Sequence, residues 1–199
     1  MVRYYGPKYK IVKSLGFLPA LGPTKRIVKH KTKKLTQLKR ISEYKKRLLE
    51  KQKIRFNYGL SEVQLSKIVN NLYNVRTFKS QNLLTKLEMR LDNIIFSFGF
   101  TRTIAHARQL INHGKVYLNF KRLTIASYFC KISDIIFLNL TDSQKKQIQK
   151  IIFKKLFFLP LNLRYLAKPF SGQIIKVIQP SKLNLVINER LVIEFYSRS

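Results

Sequence analysis

The fold is decided by residues 81–138, which read QNLLTKLEMRLDNIIFSFGFTRTIAHARQLINHGKVYLNFKRLTIASYFCKISDIIFL. Apolar residues recur at helical spacing in residues 81–98 and again in residues 103–113, and a glycine follows each stretch. This spacing predicts two amphipathic helices. Three short β-prone runs come next, at residues 115–119, 123–126 and 135–138. The order predicts a compact α+β module with its helices on one side of a small sheet.

Two further helices are predicted upstream of this module. Ser61-Glu62-Val63-Gln64 is a capping box, in which the serine hydroxyl accepts from the backbone N–H of Gln64 and the glutamine side chain reaches back. The apolar stripe behind it consists of Leu65, Ile68, Val69, Leu72 and Tyr73. The pattern is also helical from Leu35 onward, and Asn57-Tyr58-Gly59 ends that helix.

The signals downstream of the module are less regular. A helix is predicted at residues 141–155, and a strand is predicted at residues 173–178. The stretch between them, residues 156–170, is predicted to be irregular and apolar. Residues 189–198 fit both a strand and a helix, because their apolar residues alternate and also form a helical stripe. Asn188 as an N-cap, with an acid in the first turn, favours the helix.

The chain is strongly basic. Its 199 residues carry 40 Lys and Arg against 9 Asp and Glu, a formal net charge of +31 at pH 7. Self-repulsion at this charge opposes a compact state unless a polyanion neutralises it. The 45% hydrophobic content is too high for a fully disordered tail. A nucleic acid is therefore the favoured partner.

Residues 1–34 are predicted to form a basic, irregular arm. The chain has no acid before Glu43, and glycines and prolines interrupt any amphipathic helix in the arm. Aromatic residues stand between the basic ones, at Tyr4, Tyr5, Tyr9 and Phe17. This interleaving suits RNA, because phosphates take up the charge and unstacked bases meet the rings.

Several classes of function find no support in the sequence. Cys130 is the single cysteine, so it forms no intrachain disulfide, and we interpret it as a small buried hydrophobe. His30, His106 and His113 follow no metal-ligand spacing, and no Gly-rich phosphate loop or catalytic constellation occurs. We therefore expect no catalytic residue, metal, cofactor or small-molecule substrate. The most apolar stretch is too short and too interrupted to cross a membrane, so no membrane partner is expected.

A known pattern runs through residues 87–93 (LEMRLDN), 107–114 (ARQLINHG), 116–119 (VYLN) and 134–136 (DII). It resembles the RNA-binding module of the small-subunit ribosomal protein four family. The resemblance extends to residues 1–7, 15–19, 55–59 and 188–198, so it covers nearly the whole chain in order. The N-terminus is most similar to the plastid-encoded branch.

The resemblance implies a ribosomal protein that binds small-subunit rRNA directly. It also implies roles in nucleating assembly, in translational accuracy and at the path by which mRNA enters. The implied partners are rRNA, the neighbouring ribosomal proteins five and three, and mRNA near the entrance channel. The implied location is a plastid ribosome, with a bacterial cytoplasm as the alternative.

The resemblance also implies a domain organisation. After the arm, residues 35–86 form a helical domain that is completed by residues 180–199. Residues 87–179 form the inserted α+β RNA-binding domain, in which helix, helix and a small antiparallel sheet make up the core module at 87–138.

The predicted RNA-binding residues combine basic and aromatic residues near the N-terminus with positions carried over from the family. They are Arg3, Tyr4, Lys8, Lys10, Lys13, Arg55, Arg90, Asn93, Arg102, Arg108, Gln109, His113, Lys115 and Asn119. The helical pattern independently places Arg102, Arg108 and Gln109 on a polar face. Arg90 has a second interpretation, an ion pair with Glu88 or Asp92.

The chain departs from the family at three places. Asn119-Phe120 stands where the family usually has Asn-Gly, and because Phe tolerates positive φ poorly we expect a different turn. His106 stands where many members have a carboxylate, so we expect a weaker helix cap there. Residues 1–34 lack the cysteine cluster that holds zinc in some members, so no metal is expected.

Two other function classes compete with a structural rRNA-binding protein. An RNA-modifying enzyme that uses the same module needs a separate catalytic domain, and little chain remains after residue 138. A cationic membrane-surface protein needs a strongly amphipathic helix, which the proline-broken arm does not favour.

Overall fold

The computed structural model describes residues 6–22, 42–73, 82–155, 160–167, 170–177 and 187–197. The chain divides into two compact units. The first unit comprises Met1–Leu83 with Asn184–Ser199, and the second comprises Leu84–Leu183.

The described residues contain eight α-helices, which are α1 (Lys8–Leu15), α2 (Glu43–Asn57), α3 (Glu62–Tyr73), α4 (Asn82–Glu88), α5 (Leu91–Ser97), α6 (Ile104–Asn112), α7 (Asp142–Lys155) and α8 (Glu189–Ser197). A single 3₁₀ turn, Pro19–Leu21, follows α1 in this part of the chain. In the first unit α8 packs against α2 and α3, while α1 and the 3₁₀ turn pack against α2. The first unit is therefore built around α2.

Local side-chain hydrogen bonds set where these helices begin. The Ser61 hydroxyl accepts from Gln64 N at 3.2 Å, and Gln64 Oε1 accepts from Ser61 N at 3.2 Å, so the capping box is confirmed. Asn188 Oδ1 accepts from Arg190 N at 3.1 Å just before α8. The helical interpretation of the C-terminal segment is thus confirmed through residue 197.

The prediction of an irregular arm is wrong for α1 and the 3₁₀ turn. Pro7 lies just before α1 and Gly16, with φ +91°, lies just after it, so they delimit the helix and do not interrupt it. The segment buries four apolar side chains, those of Ile11, Val12, Leu18 and Ala20. Ala20 N donates to Asn57 Oδ1 of α2 at 3.3 Å. Burial against α2 therefore orders a segment whose composition alone predicts disorder.

A single helix over residues 81–98 is likewise not observed, because α4 ends at Glu88 and α5 begins at Leu91. Between the two helices Arg90 has extended backbone, with φ −73° and ψ 141°, and forms a β-bridge with Phe129. Backbone pairing with this distant loop replaces helical hydrogen bonds at the break. Apolar spacing could not reveal the break, because the residues on both sides of it are apolar.

The second unit contains one five-stranded antiparallel sheet. Its strands are β1 (Val116–Leu118), β2 (Lys121–Arg122), β3 (Ile135–Leu138), β4 (Leu163–Tyr165) and β5 (Ser171–Ile174). Their order across the sheet is β2-β1-β3-β5-β4. Strands β1 and β3 bury one face, formed by Val116, Leu118, Ile136 and Leu138. The α+β class, with a small antiparallel sheet, is confirmed.

Three strand predictions need correction. Residues 123–126 form no strand, because β2 pairs with β1 two residues earlier. The stretch 156–170, predicted to be irregular, contains β4. The strand predicted at 173–178 is β5, which begins at Ser171 and ends at Ile174. Strand β4 pairs with β5 at the sheet edge, and this non-local pairing leaves little trace in the local pattern.

The turn between β1 and β2 is also different from the prediction. Asn119 and Phe120 have φ of +47° and +66°, the pattern of a type I′ turn. Asn119 Nδ2 donates to Asp134 Oδ1 at 2.8 Å, and Asn119 Oδ1 accepts from Ile135 N at 2.9 Å. These bonds hold the turn and offset the cost of placing Phe120 in the left-handed region.

Cys130 lies in the hydrophobic core of the second unit. Burial raises the pKa of its thiol, and the nearby charges of Asp134 and Asp92 add to the effect. The thiol is therefore protonated and unreactive, as its interpretation as a buried hydrophobe requires. Among the described residues, no helix combines the length and the apolar character needed to cross a membrane.

Candidate nucleic-acid interface

Three of the four acidic residues of the second unit are buried. Glu88, Asp92 and Asp134 are 6%, 1% and 8% exposed, although carboxylates are rarely buried unless they are paired. The fourth acid, Asp142, is exposed and forms an i,i+3 ion pair with Lys145 at 2.6 Å. The internal pairing of these acids leaves the outward charge of this unit positive.

Asp92 sits at the centre of a buried ion-pair cluster. Its carboxylate accepts from Arg90 Nε at 3.2 Å and Nη2 at 2.9 Å, and from Arg108 Nε at 2.7 Å. Arg90 is 4% exposed and Arg108 is 9% exposed. Both were predicted to face RNA, but both guanidinium groups bind Asp92 of α5, and Arg108 thereby links α6 to α5. For Arg90 the alternative interpretation, a pair with Asp92, is the one observed.

Asn93 is also internal. Its side-chain amide donates to the Glu88 carboxylate, and the residue is 3% exposed. A buried carboxylate needs such a donor, because burying a charge without a partner costs on the order of several kcal/mol of stability. Asn93 therefore does not belong to an exposed RNA surface.

The outer face of α6 presents exposed polar residues. Arg102, Gln109 and His113 are exposed, and Lys115 directly after the helix is half-buried. Thr103 Oγ1 accepts from His106 N at 3.2 Å, so a threonine supplies the N-cap that was expected to be weak. Burial, with a contribution from the charge of Arg102, lowers the pKa of His106 and so favours the neutral imidazole.

The hairpin that follows α6 contributes two exposed basic residues that sequence reasoning did not select, Lys121 and Arg122. A Cβ on Gly114 would lie 2.0 Å from Arg122 Nη2, so the glycine lets this guanidinium lie against the C-terminal end of α6. A cation is favoured there by the helix dipole. The signal in the sequence was that two adjacent basic residues, Lys121 and Arg122, lie between two predicted strands. Asn119 is exposed, but both of its side-chain polar atoms are used in the turn.

The predicted residues of the first unit differ in their exposure. Lys8, Lys10 and Lys13 are exposed on α1. Arg55 is partly exposed, with Nη1 3.9 Å from a Glu62 carboxylate oxygen. Arg3 and Tyr4 lie outside the described residues.

No group of three or more potential metal ligands is present within the described part of the chain. The second unit presents exposed cations and amides around α6 and the hairpin, and the first unit presents the lysines of α1. Exposed groups of these kinds can bind phosphates and the 2′-hydroxyls of RNA.

Two domain families match the chain in succession. The Ribosomal protein S4/S9 N-terminal domain matches residues 3–88, and the S4 domain matches residues 89–136. The protein named small ribosomal subunit protein uS4c from Gracilaria tenuistipitata var. liui is 42% identical over 206 residues, which span 100% of both chains. The chain belongs to the uS4 family.

Other relatives span the whole length as well. The uS4c protein of Euglena longa is 41% identical over 100% of this chain and 99% of its own, and the uS4 protein of Acaryochloris marina is 42% identical over the same shares. The uS4 family is a structural component of the small ribosomal subunit and not a family of enzymes. This excludes the RNA-modifying enzyme among the competing interpretations.

Proposed function

We propose that this protein is a structural constituent of the small subunit of a plastid ribosome and binds its rRNA directly. The full-length similarity to uS4c, the plastid-encoded type of uS4, supports both the function and the location. The alternative location, a bacterial cytoplasm, is supported by the similarity to the uS4 protein of Acaryochloris marina.

The observation that carries this proposal is that acidic side chains are buried with protein partners while basic side chains are exposed. In the second unit Glu88, Asp92 and Asp134 are buried with protein partners, while Arg102, Lys121 and Arg122 point outward. This arrangement produces a strongly positive surface from a unit with its own hydrophobic core. Phosphate neutralisation supplies the affinity, and the shape of the α6–hairpin surface supplies orientation. Base reading in helical RNA is secondary, because A-form grooves hide the base edges.

The finer roles are part of the same proposal. By resemblance, the protein nucleates assembly of the small subunit, contacts ribosomal protein five in the control of accuracy, and lies with ribosomal protein three beside the mRNA entrance path. The exposed cations of two separate units support contact with more than one RNA segment.

The proposal predicts a steep dependence of rRNA binding on salt. Binding of the full chain to transcribed small-subunit rRNA, measured by filter binding, should weaken linearly on a log–log plot by about 0.7 to 0.9 per phosphate contact. Replacing Arg102 and Lys121 by Gln should lower this slope, while the same change at Lys146 and Lys150 of α7 provides the matched control. A flat salt response, or equal affinity for a large-subunit rRNA fragment of the same length, would contradict the proposal.

A further inference from the structure

The outer face of the sheet carries a cluster of three aromatic rings. Tyr117 of β1 and Phe137 of β3 are directly opposite each other in the register, and their rings stack with centroids 4.8 Å apart and planes 15° apart. The ring of Phe120, in the turn, lies 5.8 Å from that of Phe137 at 48°. These side chains alternate with the buried residues of β1 and β3, so they lie on the face away from the core.

Phe120 is the accessible member of this cluster. It is 72% exposed, although a large apolar side chain gains little stability at such a position. Its φ of +66° is a conformation that costs free energy for any residue with a Cβ. Folding alone would favour glycine here. The turn thus holds an aromatic ring outward at a cost to folding, and the Phe137 ring packs against it.

The charge around the rings favours a polyanion over a protein surface. The five described strands contain three basic residues, Lys121, Arg122 and Arg164, and no acid. Lys121 follows Phe120 directly, and Arg122 is the register partner of Tyr117. Exposed rings beside cations are the arrangement that binds single-stranded nucleic acid, in which a base stacks on the ring and a phosphate meets the cation.

We propose that Phe120, supported by Phe137, is a stacking site for an unpaired RNA base, with Arg122, on the same face of the sheet as Tyr117, binding a flanking phosphate. This site is separate from the outer face of α6. It rests on the proposed rRNA-binding function and adds to it the class of RNA element, a single-stranded segment rather than a duplex.

The absence of tryptophan from the sequence permits a site-specific test. Phe120→Trp places a single indole in the cluster, and a stacked base should quench its fluorescence. The probes are an oligoadenylate of about 10 nucleotides and an RNA duplex of similar length, at a salt concentration that weakens purely ionic binding. Leu161→Trp is the control, since Leu161 is 79% exposed and lies beside β4, at the opposite edge of the sheet from β2. We expect quenching by the oligoadenylate at position 120 alone.

Substitutions of Phe120 by residues other than tryptophan complete the test, with binding affinity as the measurement. Phe120→Gly suits the positive φ and so retains the fold, and it should weaken oligoadenylate binding about tenfold, as loss of one stacking ring does. Phe120→Leu retains apolar bulk but has no ring and should show the same loss, whereas Phe120→Tyr should bind like the original chain. Duplex affinity should not change in any of them.

Two results would overturn the inference. One is equal quenching by duplex and oligoadenylate, and the other is unchanged oligoadenylate affinity in Phe120→Gly and Phe120→Leu, which would point to a protein partner for these rings. Binding of the unsubstituted chain to small-subunit rRNA is measured in parallel. If that binding persists while the Phe120 variants show no effect, the stacking site fails and the proposed function stands; if that binding is missing, the proposed function itself fails.

Discussion

At the scale of single residues, the most informative side chains are those that sequence reasoning assigned to RNA and the structure buries. Arg90 and Asp92 are two positions apart, and residues at i and i+2 do not face each other on a helix. They pair because Arg90 lies before α5 with extended backbone, and Arg108 reaches the same carboxylate from α6. In this basic protein, the Arg90 side chain therefore stabilises the fold and does not bind RNA.

Replacing Asp92 by Asn should strongly destabilise the protein. The change leaves two buried guanidinium groups without their counter-charge, and breaking a buried pair in this way costs about 3 to 5 kcal/mol. Urea denaturation of the full chain measures the loss. Asp142→Asn removes an exposed i,i+3 pair with Lys145 and should leave stability unchanged within error. Equal effects of the two substitutions would refute a structural role for the cluster.

At the scale of elements, an ion pair, a hydrogen bond and a cation–π contact connect α8 to α2 and α3. Glu62 Oε1 accepts from Lys51 Nζ at 2.9 Å and from Tyr196 Oη at 2.8 Å. Lys51 Nζ also lies 4.1 Å from the centroid of the Phe195 ring. Burial acts to raise the pKa of Glu62, but the hydrogen bonds from Lys51 and Tyr196, together with the charges of Lys51 and Arg55, outweigh it and lower the pKa. The C-terminal helix is therefore held in part by an ionised carboxylate.

Because an ionised Glu62 helps to hold α8, the stability of the protein should depend on pH in the acid range. A carboxyl group with a lowered pKa in the folded state stabilises it above the ordinary value of 4.5, and this stability is lost as the pH falls through the lowered pKa. In Tyr196→Phe the pKa of Glu62 should rise, because one donor to the carboxylate is gone. The loss of stability in acid that Glu62 contributes should then be smaller than in the original chain and should end at a higher pH.

Chemical denaturation between about pH 3 and pH 6 measures this shift. Tyr44→Phe is the matched control, since the Tyr44 ring also contacts Phe195, with centroids 5.9 Å apart. Identical pH profiles for Tyr196→Phe and the original chain would contradict the attachment by an ionised Glu62.

At the scale of the whole molecule, charge and packing are combined in the same segments. Helix α1 buries Ile11 and Val12 while its lysines are exposed. Deleting the N-terminal residues would therefore remove core side chains together with charge. Substitution of the lysines separates these two effects.

Replacing Lys8, Lys10 and Lys13 together by Gln should weaken rRNA binding without loss of folding. If all three contact phosphates, the log–log salt slope should fall by about 2 to 3, at about 0.7 to 0.9 per contact. The control replaces three exposed lysines elsewhere, Lys67, Lys146 and Lys150, and filter binding compares the two variants. Equal losses would show that charge acts diffusely and that α1 makes no contacts of its own.

Features that depend on neighbouring residues could be predicted from the sequence alone. The capping box at Ser61 and the N-cap at Asn188 formed because each bond spans two or three residues. Charge composition likewise indicated a polyanion partner, and motif spacing indicated the family, since neither depends on how the chain packs.

Which charged and aromatic side chains are available to RNA depends on how the chain packs. Arg90, Arg108 and Arg102 are all guanidinium groups in or beside predicted helices, yet the first two are buried against Asp92 and the third is exposed. The break before α5 and the type I′ turn at Asn119-Phe120 depend on partners far along the chain, Phe129 and Asp134. Burial and ion pairing are set by such long-range contacts, and a local pattern does not contain them.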